Sequence, residues 1–501
     1  MASSEWAGAY TVAMQQHEIY ERARLSRDPR FDGRFFVGVR TTGIYCRPIC
    51  PAVAPKSENV TFYPSAAAAS EAGLRPCLRC RPECAPGTPA WNGTSTTVQR
   101  GLRLISNGAL DDGSIEQLAE RLGVTSRHLR RLFAEHVGAS PLAVAHTQRL
   151  HFAKRLIDQT FLPLSEVAHA AGYGSVRRFN DAFNKTYGRT PRELRRHSDE
   201  TTEPGAALTV HLSYREPFDW SSLLNFFAGR ATPGVEQVIG GRYYRTIQVH
   251  DRPGVIECGQ SMDRIHLTLH GIGTNDVFRV VRSAREMFDL DAPIDDIHDA
   301  LDVEEPLASL LQSHPGVRVP GSWDGFELTV RAILGQQVSV KAATTLAGRI
   351  ASRYGEPLSL PASLPGHDGI ALDRLFPTPE KLARARFNSI GLVKSRAETI
   401  RRVAAAVVNG DIRFDDTQDP DELRASLLAI RGIGEWTADY VAMRALKFPD
   451  AFPASDLGLL KAVDPNRKLK TSELKARAEA WRPWRAYAAL LLWGSLSGSG
   501  G

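Results

Sequence analysis

Chemistry in this chain could start from its sulfurs. Five of the six cysteines fall between residues 46 and 84. Three residues lie between Cys46 and Cys50, two between Cys77 and Cys80, and 26 residues separate the pairs. Two close thiolate pairs at that separation suit one tetrahedral zinc ion. A zinc-held sulfur stays deprotonated at neutral pH, and thiolate is the nucleophilic form, so the cluster either holds a fold or reacts. Cys84 is a surplus sulfur that could compete for a ligand position. Cys258 stands alone and reads as a small buried residue.

A second constellation lies in "LAIRGIGEWTADYVAMRAL", residues 428–446. Gly432, Ile433 and Gly434 form a turn between two helical segments. Glycines there let backbone N–H groups approach a phosphate without side chains in the way. Asp456 follows 22 residues after Gly434, in "FPASDLGLLKA". A carboxylate at that place could stabilise a developing positive charge or orient water. Asp456 also opens a helix-like run, so a plain N-cap is the alternative.

The elements that position these groups must belong to several domains. The chain has 501 residues, and one core rarely grows past roughly 250–300. With 43% apolar and 24% charged residues it reads as an ordinary globular protein. No apolar run reaches the roughly 18 residues of a membrane span. The opening "MASSEWAGAY" lacks a basic start and an apolar core, so no signal peptide is expected, and a cytoplasmic, reducing setting follows. The net charge of +6 divides into +3 over residues 1–93, +7 over 94–198 and −4 over the rest. The basic excess points to a polyanion partner for the first 198 residues. Stretches rich in Pro, Gly, Ser and Thr at 85–97 and 198–207 read as linkers, 357–369 as a loop inside a domain, and 494–501 as a disordered tail.

Between the first two linkers, residues 112–141 and 163–191 resemble each other as helix pairs. Ser114 with Gln117 makes a capping box, Ile115, Leu118, Ala119 and Leu122 form one apolar face, and Gly123 ends the helix. A second helix from about Ser126 turns Leu129, Leu132 and Phe133 inward. Arg127, His128, Arg130 and Arg131 are left outward on a basic recognition helix. In the second unit Val167, Ala168 and Ala171 face inward and Gly172 turns the chain. Val176, Phe179 and Phe183 share a core face, leaving Arg177, Arg178, Asn180 and Asn184 for base edges or phosphates.

The words around the cysteines, "FFVGVRTTGIYCRPICPA", "ENVTFY" and "GLRPCLRC", closely resemble the N-terminal domain of the Ada family of alkylation-response proteins. That resemblance implies that Cys46, Cys50, Cys77 and Cys80 hold zinc. It also implies that Cys46 accepts a methyl group from a methylated DNA phosphotriester. The helix pairs, ending in Gly188, Arg189, Thr190 and Pro191, resemble the AraC family of bacterial activators. The hairpin and its aspartate resemble the helix-hairpin-helix DNA glycosylases. "SYREPFDW", "GSWDGFELTVRAILGQQVSV" and "AWRPWRAYAALLLW" resemble their AlkA branch, which removes N-alkylated purines. By that resemblance Phe226, Trp436, Tyr440 and Trp493 line an aromatic pocket for a cationic base, with core packing as the alternative for each. Gln337 stands where AlkA-type enzymes carry a leucine wedge. Trp436 stands where bifunctional relatives carry a Schiff-base lysine, so a monofunctional enzyme is expected. The four-cysteine iron–sulfur cluster of some relatives is missing. So is the PCHR-type motif of the second Ada methyltransferase domain.

The expected fold class is multidomain α+β. A small zinc-bound α/β domain (1–88) precedes an all-α double helix-turn-helix domain (95–198). A mixed β-sheet, TBP-like subdomain (207–300) and an all-α helix-hairpin-helix glycosylase domain (301–494) follow. The expected function is a monofunctional 3-methyladenine-type glycosylase fused to a regulator that takes methyl from phosphotriesters and activates transcription. Two alternatives are a regulator whose glycosylase-like half binds DNA without catalysing, and a glycosylase with a purely structural zinc. Expected cofactors are one zinc and a monovalent cation at the hairpin. Expected partners are double-stranded DNA, at damage and at promoters, and RNA polymerase. No membrane contact is expected, the chain is expected to be a monomer, and its expected place is the bacterial cytoplasm, associated with the nucleoid.

Overall fold

In the computed structural model the described residues are 16–28, 31–85, 96–195 without 107, 112 and 161, and 207–497 without 250, 251, 262, 303, 304, 361–363, 365–368, 389, 415–417 and 466–468. Most of the expected linkers 85–97 and 198–207, and residues 361–363 and 365–368 of the expected loop 357–369, lie outside them. The chain divides into two compact units, Met1–Thr202 and Glu203–Gly501.

The first unit opens with a helical run over 16–26 and a four-stranded sheet. Its strands are β1 (Phe36–Val39), β2 (Ile44–Cys46), β3 (Val60–Tyr63) and β4 (Arg75–Pro76), ordered β3-β1-β2-β4. β1 pairs antiparallel with β2 and β3, while β2 and β4 run parallel. Helix α1 (Ala66–Glu71) is capped by the Ser65 hydroxyl, which accepts from Ala68 N. Phe35 and Tyr45 are fully buried.

Helices α2 (Thr96–Ser106), α3 (Ile115–Arg121), α4 (Ser126–Val137), α5 (Pro141–Gln159), α6 (Leu164–Ala170), α7 (Val176–Tyr187) and α8 (Pro191–Leu194) follow. The capping box of Ser114 and Gln117 forms as the sequence predicts. Thr125, Ser140 and Ser175 cap α4, α5 and α7 with their hydroxyls. α4 and α7 end at Gly138 and Gly188 in left-handed conformation, φ 70° and 64°, where a side chain would be strained. Leu129, Phe133, Phe179 and Phe183 are fully buried. The aromatics of α7 are core.

The second unit begins with a five-stranded sheet of β5 (Leu208–Ser213), β6 (Glu236–Ile239), β7 (Arg242–Val249), β8 (Arg252–Ser261) and β9 (Arg264–His270), ordered β5-β9-β8-β7-β6. The sequence led us to expect a mixed sheet here, but every pair is antiparallel. Only two residues separate each strand from the next along β6 to β9, and such short connections force antiparallel neighbours. Helices α9 (Trp220–Ala228) and α10 (Val277–Met287) accompany the sheet. Cys258 is fully buried in β8, and burial pushes its thiol up.

Further helices are α11 (Ile294–Leu301), α12 (Leu307–Ser313), α13 (Gly325–Leu334), α14 (Val340–Tyr354), α15 (Pro379–Ala383), α16 (Lys394–Val408), α17 (Pro420–Leu428), α18 (Glu435–Ala445), α19 (Leu457–Val463), α20 (Thr471–Arg477) and α21 (Arg485–Ser497). They build two apolar cores, one around α13, α14 and α16, the other around α11, α12 and α21, with α18 contributing to both. A buried ion network joins sheet to helices. Arg245 of β7 pairs with Glu236 at 2.8 Å and with Glu327 of α13. Arg331 meets the same two carboxylates at 2.7 and 3.0 Å. Removing one partner would leave a buried charge uncompensated.

The expected disordered tail from 494 is corrected for its first residues. α21 continues to Ser497, because Leu496 reaches the Gly458 region of α19 and the Ser495 hydroxyl donates to Leu492 O at 2.8 Å. Residues 498–501 lie outside the described residues. No helix among the described residues is long and apolar enough to cross a membrane.

Candidate functional site

β2 ends in Cys46, and β4 leads directly into Cys77, whose N–H donates to Tyr45 O at 3.0 Å. The parallel pairing of these two short strands brings the cysteine pairs together. The sulfurs of Cys46, Cys50, Cys77 and Cys80 all lie within 4.8 Å of one another. A tetrahedral zinc with Zn–S bonds of about 2.3 Å needs sulfurs roughly 3.8 Å apart, so the set fits one zinc ion. Four thiolates this close repel one another unless a cation sits among them. Cys77 and Cys80 are buried, while Cys46 and Cys50 are half-buried. The Arg47 N–H donates to Cys80 Sγ at 3.3 Å, and Arg47 Nε donates to Asp32 Oδ1 at 2.8 Å. The backbone between the two halves of the site is thereby pinned. Cys84's side chain lies outside the described residues.

The outward faces of the recognition helices are as basic as their sequence. Arg127, Arg130 and Arg131 of α4 are exposed, as are Arg177 and Arg178 of α7, while Asn180 is half-buried. Their ion pairs are loose, Arg130 with Glu116 at 3.5 Å and Arg131 with Glu135 at 3.7 Å. Such solvent-exposed pairs are worth little, so these guanidiniums remain available to phosphates and base edges.

In the second unit the hairpin Ala429–Gly434 joins α17 to α18. Gly432 has φ +103°, and a Cβ there would fall 2.0 Å from Thr399 Oγ1. Gly434 caps α18 and would meet nothing within 4 Å, so the space beside it is open to a phosphate. The connection between α13 and α14 is tied to the hairpin. Gln336 Nε2 donates to Gly432 O and to Thr437 Oγ1, each at 3.0 Å. Gln337 stands exposed at the tip with φ +57°, flanked by exposed Val338 and Val340. A non-glycine residue held in left-handed conformation is a common mark of a functional tip.

In the first turn of α18, the Trp436 indole N–H donates to Asp456 Oδ2 at 2.7 Å. From α21, the Trp493 indole donates to Asp456 Oδ1 at 2.9 Å, and Leu459 N donates to the same oxygen at 2.9 Å. Asp456 is therefore an N-cap and also a carboxylate fixed by two indoles. Its half-buried side stays accessible. Trp436 stacks on Tyr440 at 5.1 Å and 9°, and Trp493 meets Tyr440 edge-on at 6.3 Å. The position that a Schiff-base lysine would need is filled by the indole that orients Asp456.

Phe226, on α9, joins this group through cations. Arg230 lies over its ring at 3.9 Å and Arg444 at 4.8 Å, and Arg444 Nη1 donates to the Tyr440 hydroxyl at 2.7 Å. Burial pushes the Tyr440 phenol up, but Arg444 and Arg230 outweigh it and hold it below its ordinary value. The site thus already draws cations to aromatic faces. Sequence reasoning missed Arg230 and Arg444, and only the four-residue spacings Phe226–Arg230 and Tyr440–Arg444 could have signalled them. It named Trp436 and Trp493 as pocket walls but missed their hydrogen bonds to Asp456, and it missed Leu457, which is 81% exposed beside Asp456.

Comparison with known proteins matches four family models along the chain. They are the metal-binding domain of Ada (19–83), a helix-turn-helix domain (118–197), the AlkA N-terminal domain (209–324) and the HhH-GPD superfamily of base excision DNA repair proteins (330–486). The chain is 40% identical over 489 residues to the "Probable bifunctional transcriptional activator/DNA repair enzyme AlkA" of Mycobacterium tuberculosis, covering 96% of this chain and 97% of that one. It is 33% identical over 287 residues to DNA-3-methyladenine glycosylase 2 of Escherichia coli, covering 56% of this chain and 95% of that one. It is also 33% identical over 171 residues to the bifunctional transcriptional activator/DNA repair enzyme Ada of E. coli, covering 34% of this chain and 47% of that one.

Proposed function

The chain belongs to the family of Ada–AlkA fusions, in which a metal-binding Ada domain, a helix-turn-helix domain and an AlkA-type glycosylase share one polypeptide, and from that premise we propose that it excises N-alkylated purines and senses methylated DNA phosphates. We assign residues 1–88 to the sensor, 95–198 to the DNA-reading domain, 207–300 to the sheet subdomain and 301–494 to the glycosylase. The family models at 19–83, 118–197 and 330–486 each fall inside one of these segments, while the AlkA N-terminal model runs from 209 on to 324.

One observation carries the glycosylase reading. The Asp456 carboxylate is fixed by the N–H groups of Trp436 and Trp493 beside an aromatic stack. An N-alkylated purine is already a cationic leaving group and departs neutral, so the enzyme need not protonate it. What it must do is extract the base from the stack and stabilise positive charge at the sugar. Gln337 fills the gap left in the duplex, while Gly432 and Gly434 hold the phosphate. Phe226, Trp436, Tyr440 and Trp493 take the base. As the glycosidic C–N bond breaks, Asp456 stabilises the sugar cation. Water then adds to the anomeric carbon and gives up a proton, leaving an abasic site. Without a lysine at 436, no covalent sugar adduct forms. The hairpin's backbone carbonyls could take a monovalent cation.

In the sensor, Cys46, Cys50, Cys77 and Cys80 would hold a zinc ion, which when bound would favour their thiolate forms. Cys46 Sγ attacks the methyl carbon of a phosphotriester. The S–C bond forms as the C–O bond breaks, and the electron pair stays on the phosphate oxygen. The cluster loses one negative charge and repels DNA less. The recognition helices, with Arg127, Arg130, Arg131, Arg177, Arg178 and Asn180, then hold promoter DNA more tightly for RNA polymerase, the chain acting as a monomer.

The test is release of free methylpurine from alkylated duplex DNA, with Asp456→Asn as control. Asparagine can still cap α19, so the fold survives and the charge is lost. Release by wild type and its loss in the variant are expected. Equal release by both would remove Asp456 from the mechanism.

A further inference from the structure

The zinc site is fastened on both flanks to α5, the helix between the two helix-turn-helix units. On one flank Tyr45, the residue before Cys46, meets His151 Nε2 with its hydroxyl at 2.9 Å. On the other, Arg81 follows Cys80 directly, in left-handed conformation with φ +55°. Its guanidinium pairs with Asp158 and, at 3.4 Å, with Glu83. Lys154 closes the ring, 2.5 Å from Asp158 and 3.6 Å from Glu83. The side chains of Lys154, Glu83 and Asp158 are 2%, 2% and 1% exposed. His151, Lys154 and Asp158 share one face of α5 at helical spacing. α5 also carries Leu150, Ala153, Leu156 and Ile157 into the core. Its first residue follows α4 closely and its last precedes α6, so its placement fixes where both recognition helices stand.

We propose that this docked face is the coupling element between the zinc site and the recognition helices, with Arg81 as its positioning residue. The inference rests on the reading that Cys46 takes a methyl group. Methylation alters the charge and seating of one sulfur in a cluster whose peptide neighbours are Tyr45 and Arg81. A buried ring of two cations and two carboxylates tolerates no partial separation, because a displaced member leaves an unpaired buried charge. The ring therefore moves as one body with α5 or opens, and either response reaches α4 and α7.

The experiment uses the full-length zinc-loaded chain, methylated on DNA carrying methylphosphotriesters. It measures the ratio of dissociation constants before and after methylation, on a duplex selected from a random pool by the methylated wild type. The wild type is expected to show a ratio within the roughly 5–150-fold span usual for coupled sites. Arg81→Met should lower the ratio to the part that the lost charge at Cys46 supplies by itself, while zinc content and methyl uptake at Cys46 stay at wild-type levels. Arg81→Lys should restore part of it. The double variant Arg81→Met/Asp158→Asn removes one cation and one carboxylate, so the ring stays balanced in charge and the fold is protected. Its ratio should fall by the same amount. A wild-type ratio in the double variant would overturn the inference. So would unchanged amide exchange across 141–159 in wild type whose Cys46 carries the methyl. Absence of methyl on wild-type Cys46, read by mass, would instead strike the sensor reading.

Discussion

Trp493 donates its indole N–H to Asp456 Oδ1 at 2.9 Å from a helix 37 residues further along the chain. With Trp436 on the other oxygen at 2.7 Å, the carboxylate cannot rotate without breaking a hydrogen bond. Hydrogen bonds to charged groups are worth about 1.5–3 kcal/mol. Trp493→Phe, which keeps the ring and loses the donor, should lower kcat for methylpurine release by roughly ten- to hundred-fold with little change in KM. Single-turnover kinetics on alkylated duplex check this. An unchanged kcat would make the indole a spectator.

The two hairpin glycines should separate stability from binding. Gly432→Ala places a methyl 2.0 Å from Thr399 Oγ1 at φ +103°, which should cost about 1–3 kcal/mol of stability. Gly434→Ala meets no atom within 4 Å. It should leave stability within about 0.5 kcal/mol of wild type while weakening binding to alkylated duplex. Thermal unfolding and fluorescence titration together test the pair.

Acid should strengthen one buried site of the second unit. Burial pushes the Asp289 carboxyl up to about 6, against the opposing pull of Arg318 and the Tyr487 hydroxyl. The folded pKa lies above the unfolded value, so the stability contribution is complete below the unfolded pKa and is lost as pH rises through about 6. Between pH 7 and about 4.5, wild type should gain stability relative to Asp289→Asn as pH falls. Parallel urea-unfolding curves for the two proteins would contradict this.

Zinc removal should divide the molecule's activities. Four sulfurs drawn within 4.8 Å have little else to hold them once the ion is gone. A chelator should therefore lower the melting temperature of the first unit and abolish methyl uptake. Methylpurine release, built from residues of the second unit, should persist at wild-type rate. A parallel loss of both would mean that the units depend on each other for folding.

What was legible in the sequence was local. The cysteine spacings, the capping box of Ser114 and Gln117, the inward aromatics of α7 and the glycine hairpin depend on residues within a few positions of one another. Periodicity and turn chemistry report such neighbours directly. The contacts that sequence reasoning missed span long stretches of chain, 77 residues from Arg81 to Asp158 and 82 from Arg245 to Glu327. A charged residue destined for a buried ring reads in sequence like one bound for solvent. Arg230 over Phe226 was hidden for a related reason, since an arginine one helical turn from an aromatic suggests a surface pair and not a covered pocket wall. The sheet's strand order and the end of α21 at Ser497 were set by packing partners elsewhere in the chain.

The central claim is that one polypeptide both registers and repairs alkylation, and the half-buried Cys46 at the end of β2 is where registration happens. The direct measurement is the mass of the peptide carrying Cys46, after incubating the zinc-loaded protein with methylated duplex DNA. One added methyl group on Cys46, absent when the DNA is unmethylated and absent in Cys46→Ser, is the result this account predicts. An unmodified Cys46, with zinc bound and DNA binding intact, would contradict it and reduce the cluster to a structural clamp beside a glycosylase.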